Sequence, residues 1–226
     1  MTGYLPPSFF PSRFQILSGS SLKVLAMVIM LVDHTAAVLL SIWQPALDPL
    51  FYIGGRGYSA YRICRDIGRA AFPIFCFLLT EGFLHTRNRV RYGRNLFLFA
   101  LISEIPWNFM FTDTWTYVKQ NVFFTLFLGF LGMCALEYFR SAPWKQILCL
   151  LILLCVAVKL NADYGWKGYV FLLIMYLLRN EKASQAIVGS CWLSYEWKAC
   201  FAFISINMYN GQRGFIRGKF SKYFFY

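Results

Sequence analysis

The 226-residue chain is 58% hydrophobic and 14% charged, against roughly a quarter charged in a soluble domain. Its formal charge of +12 comes from 22 Lys+Arg against 10 Asp+Glu, a balance that in a soluble protein points to nucleic acid. Here the basic residues sit at the ends of apolar runs, where they mark membrane boundaries and anionic head groups, so a lipid bilayer and no nucleic acid is the expected partner.

Residues 1–21 lack the basic-then-apolar order of a signal peptide. They read as an N-terminal interfacial arm rich in proline and aromatics, followed by one membrane domain over 22–226. The first span is predicted at about 22–43, with Ser20 and Ser21 as N-caps and Trp43-Gln44-Pro45 as its end. A polar loop holding Gly54-Gly55-Arg56-Gly57 comes next. Arg62, Arg65 and Arg69 then recur at helical spacing, which predicts a short interfacial helix over 58–69. Further spans are expected at about 70–86, 95–111, 121–139, 145–160 and 166–179. A seventh, about 183–208, is broken by Ser194-Tyr195-Glu196 into two half-length pieces. Pro73 is either a kink or a first-turn residue. The tail from Asn210 is basic and aromatic. The fold class expected is therefore all-α: a polytopic membrane helix bundle of about seven transmembrane helices. Basic residues divide almost evenly between its two faces, so orientation stays open.

Trp43, Trp107, Trp115, Trp144 and Trp166 fall at run ends, as an interfacial belt would place them. The seven cysteines lack CxxC spacing and lie mostly within apolar runs, which reads as free thiols. With two histidines in the chain, no metal site is expected.

Ionisable groups inside spans are costly and point to function. Asp33 and His34 lie in span one, Glu81 and His85 in span two, Glu104 in span three. At 1.5 Å per residue, Asp33 lies about 14 Å from the Trp43 face, Glu81 about 17 Å from Arg69, and Glu104 about 15 Å from the opposite face. In a hydrocarbon core about 30 Å thick, all three approach the midplane and are expected to share a polar pocket. His34 there can act as a general base, with a carboxylate to orient it. Asp33 is its neighbour on the helix and points about 100° away, which favours Glu81 or Glu104 as that partner. A network that only pins helices together is the bland alternative. Arg87, Arg89, Arg91 and Arg94 are either boundary charges or forked donors to phosphate. Asp163-Tyr164-Gly165-Trp166 reads as a turn with a cap or a functional role.

These residues fall in stretches that resemble the TraX family of membrane proteins: LKVLAMVIMLVDH (22–34), IGRAAFPIFCFLLTEGFLHTRN (67–88), YGRNLFLFALISEIPWN (92–108), QNVFFTLFLG (120–129), ADYGWKGYVF (162–171) and YNGQRG (209–214). The resemblance implies a multi-pass protein of the bacterial cytoplasmic (inner) membrane. It also implies an acetyltransferase with acetyl-CoA as co-substrate and a pilin N-terminus as one acceptor. His34 would then be the base, with Asp33, Glu81 and Glu104 setting its tautomer and charge. Arg87 and Arg94 would hold the coenzyme A phosphates, His85 and Thr86 would line the cavity, and Arg69 is a second phosphate candidate. Relatives usually continue past the KYFFY ending (222–226) into a further hydrophobic helix with a histidine near its start, and here the sequence stops. Two other readings stay open: a transporter using the same residues as a proton relay, and a scaffold in a pilus or secretion apparatus.

Overall fold

The computed structural model describes residues 9–112, 115 and 119–215. The first eight residues of the expected arm and the tail from 216 lie outside that range. The described residues are mostly helical. They divide into two compact units, one of residues up to 78 and from 180 onward, the other of residues 79–179.

In the first unit, α1 (Gly19–Thr35) runs into a π-helical turn, Ala36–Leu40. Its cap is Ser18 rather than Ser20 or Ser21: the Ser18 side chain accepts the Ser21 N–H at 3.2 Å. Ser20 is committed elsewhere, donating its hydroxyl to the Arg213 carbonyl at 2.9 Å. The helix start is closed by the segment that follows residue 208. Gly19 N–H and Ser20 N–H, which would otherwise lack helical acceptors, each donate at 2.8 Å to the carbonyls of Gln212 and Arg213.

The expected polar loop is a short helix, α2 (Gln44–Leu47), followed by a β-hairpin of β1 (Pro49–Ile53) and β2 (Arg56–Ser59). Ile53 pairs with Arg56 across Gly54-Gly55. Both glycines have positive φ, 56° and 79°, the requirement of a tight two-residue hairpin turn. Read by its glycines, this stretch looks like loop. Its aromatic and β-branched residues, with Phe51 stacked on Tyr58 at 5.5 Å, form a strand pair instead.

Ser59 then caps α3 (Ala60–Gly68), accepting the Arg62 N–H. After a tight turn at Arg69–Ala70, α4 (Ala71–His85) begins, with Pro73 in its first turn. That is where a missing N–H costs nothing. The short helix expected over 58–69 thus forms, and it opens an apolar helical run, Ala60–His85. Near the other end of the chain, α9 (Lys182–Trp192) gives way to a 3-10 segment, Ser194–Phe201, and then α10 (Ala202–Asn207). Glu196 has non-helical backbone there (φ −126°, ψ 54°), the break expected at Ser194-Tyr195-Glu196.

In the second unit, α5 (Arg89–Thr112) starts earlier than expected because Asn88 caps it, accepting the Arg91 N–H at 2.8 Å. Arg89, Arg91 and Arg94 therefore belong to its first turns. There follow α6 (Val122–Tyr138), α7 (Pro143–Leu160) and α8 (Gly165–Leu177).

Among the described residues, three helices are long and apolar enough to cross a membrane: Gly19–Leu40, Ala60–His85 and Pro143–Leu160. Val122–Tyr138 and Gly165–Leu177 are shorter apolar helices. The pieces α9 and α10 are each well under the 17 or so residues a span needs.

Candidate functional site

Three ion pairs of the first unit converge on α3 and the residue that follows it. Asp33, on α1, faces Gly68, and a Cβ on Gly68 would overlap the Asp33 side chain. Absence of that Cβ brings α3 against α1 at this level. One turn earlier, Arg65 Nη1 lies 2.8 Å from Asp33 Oδ1, with the Asp33 carbonyl 3.4 Å away. The two side chains are 22% and 19% exposed, so their attraction is less screened than that of a surface pair. Asp66 pairs with Lys198, and just past the helix Arg69 Nε lies 3.8 Å from Glu196 Oε2. Lys198 also sits 6.0 Å from the Tyr58 ring centroid. The 3-10 segment after Ser194 therefore supplies two charges to one small helix. His34, partly buried, stands beside Asp33 on α1.

Of the residues singled out from the sequence, Asp33, His34 and Arg69 are in this unit. The carboxylate of Asp33 engages Arg65, and Arg69 lies within ion-pair distance of Glu196. Sequence reasoning assigned no role to Arg65, Asp66, Glu196 or Lys198 individually. The helical spacing of Arg62, Arg65 and Arg69 was the available signal, along with the polar break at 194–198 in an otherwise apolar run.

The remaining positions lie in the second unit. Glu81 is one turn from the end of α4. His85 Nδ1 lies 2.9 Å from the Glu81 carbonyl; a carbonyl only accepts, so this nitrogen carries the proton. The His85 side chain is 64% exposed and 4.0 Å from Glu81 Oε2. Thr86 N–H donates to Gly82 O. Arg87 and Arg94 are exposed.

Glu104 Oε2 accepts from Asn121 Nδ2 at 2.6 Å and from Asn121 N at 3.2 Å. Asn121 in turn caps α6 through the Phe123 N–H and donates to the Ala100 carbonyl at 2.8 Å. Beside this knot, Lys119 pairs with Asp163 at 2.6 Å, and Thr125 donates to the Asp163 carbonyl. Tyr164 and Gly165 take positive φ, 61° and 47°, so Asp163-Tyr164-Gly165-Trp166 is the tight entry into α8.

What the first cluster can do follows from its groups. An imidazole can accept a proton, and the cluster pairs three carboxylates with three cations around α3.

Comparison with known proteins gives one family and two relatives. Residues 18–226 match the family described as TraX protein. The chain is 30% identical over 184 residues to the "Probable fimbrial assembly protein FimC, serogroup H1" of Dichelobacter nodosus, covering 78% of this chain and 68% of that protein. It is 23% identical over 170 residues to an uncharacterized protein of Rickettsia prowazekii (strain Madrid E), covering 72% of this chain and 56% of that one. No solved structure matches.

Proposed function

The chain belongs to the TraX family, and from that premise we propose that it is a multi-pass acyltransferase of the bacterial cytoplasmic membrane. Its reaction is transfer of acetyl from acetyl-CoA to an amine or hydroxyl, such as the N-terminus of a pilus or fimbrial subunit. The observation that supports this reading is the Asp33–Arg65 ion pair on a helix apolar enough to cross a membrane, with His34 the next residue in sequence. A charged pair there is expensive in a membrane and calls for a use. The fimbrial assembly role printed for the D. nodosus relative supports an acceptor in such an appendage.

In the proposed step, the acceptor nitrogen attacks the thioester carbon while His34 takes the proton from that nitrogen. The new N–C bond forms, the C–S bond breaks, and the coenzyme A thiolate leaves with the proton returned from the imidazolium. A carboxylate partner orients the imidazole and sets its tautomer.

Purified full chain, incubated with radiolabelled acetyl-CoA and a synthetic peptide with an unblocked N-terminus, tests this. Label in the peptide is the expected result. No transfer to any amine or hydroxyl acceptor, together with no stabilisation by CoA thioesters, would leave a carrier or a scaffold as the reading.

A further inference from the structure

In the second unit, two guanidinium groups are held on one aromatic platform. The ring of Phe83, on α4, is fully buried. It meets Phe130 of α6 and Tyr176 of α8 edge-on, each at 5.5 Å between centroids. Arg89, the first residue of α5, lies over Phe83 with Cζ 4.3 Å from the ring centroid. Arg179, just past α8, lies over Tyr176 at the same 4.3 Å and donates from Nη1 to the Tyr176 carbonyl at 2.9 Å. The Tyr176 hydroxyl donates to Glu137.

Two like charges drawn towards one low-dielectric surface repel each other. Stacking on aromatic faces offsets part of that cost and orders two long side chains in advance. It also leaves most of their N–H donors unused by the ring contacts. Such forks match the oxygens of a phosphate. Arg89 stands at the N-terminus of a 24-residue helix, whose dipole adds to the attraction for an anion.

We propose that Arg89 and Arg179 form a binding site for a phosphate-bearing ligand, either a phosphate of coenzyme A or a phospholipid head group. The inference rests on the acyltransferase reading only for the choice between these two sources. It also replaces the residues that the sequence favoured. Arg94 is five residues beyond Arg89 on α5 and so points about 140° away from it, and Arg87 lies in the turn before that helix.

The test is thermal unfolding and ligand titration of the purified full chain in nonionic detergent. The probes are CoA, pantetheine (which has no phosphate), phosphatidylglycerol and diacylglycerol. CoA is expected to raise the Tm and pantetheine to leave it unchanged. Arg89→Gln and Arg179→Gln should each weaken CoA about tenfold or more, the loss of charge-assisted hydrogen bonds, while Arg94→Gln changes it less than about twofold. Arg89→Lys guards against a folding artefact. It keeps the charge and should keep the ligand-free Tm, yet lose affinity with the fork. Stabilisation by phosphatidylglycerol alone, lost in the same variants, upholds the phosphate site and assigns it to lipid. Equal stabilisation by CoA and pantetheine overturns the proposal, as does unchanged phosphate-ligand affinity in both glutamine variants. Acetyl transfer is read separately: CoA binding without transfer counts against the acyltransferase reading and leaves this site standing.

Discussion

Asp33 and Gly68 are in such close contact that the glycine has no room for a Cβ. This contact sets the approach of α3 to α1, and the Arg65 guanidinium meets the Asp33 carboxylate one turn away. Gly68→Ala should therefore force α3 off α1. The expected cost is about 1–3 kcal/mol, that of overpacking a filled site, seen as a lowered Tm of the purified protein. An unchanged Tm would mean that the two helices separate without penalty.

The Asp33–Arg65 pair makes a sharper prediction. Arg65→Gln leaves a carboxylate largely out of water with its cation gone, which should cost about 3 kcal/mol. Asp33→Asn should destabilise as well. The double variant should cost less than the sum of the two, with a coupling of about 1–3 kcal/mol. Strict additivity in that cycle would show that the two groups do not stabilise each other.

Asn121 ties α6 to α5 through three groups at once: the Glu104 carboxylate, the Ala100 carbonyl and the Phe123 N–H. Asn121→Ala removes a helix cap and the side-chain amide that donates to both the Glu104 carboxylate and the Ala100 carbonyl. The expected loss is about 2–4 kcal/mol. Ser41→Ala is the control. Its hydroxyl makes one exposed bond, to Val38 O, and its loss should stay within about 0.5 kcal/mol.

Much of this architecture was legible in the sequence. Apolar runs placed the helices α4 to α8, and the polar break at Ser194-Tyr195-Glu196 marked where the last run divides. Helical spacing of Arg62, Arg65 and Arg69 found α3. One local signal misled: the glycines at 54 and 55 read as loop when they are the turn of a hairpin. The partners of the charges were not legible at all. Asp33 meets Arg65 where Gly68 lets α3 approach α1, and Asp66 meets Lys198, 132 positions away. No periodicity in the chain encodes that.

The most direct measurement is the rate of labelled acetyl transfer from acetyl-CoA by His34→Ala protein, at matched Tm with the unaltered chain. Loss of a general base predicts a fall of about a hundredfold or more. A His34→Ala protein that transfers acetyl at the unaltered rate would contradict the account.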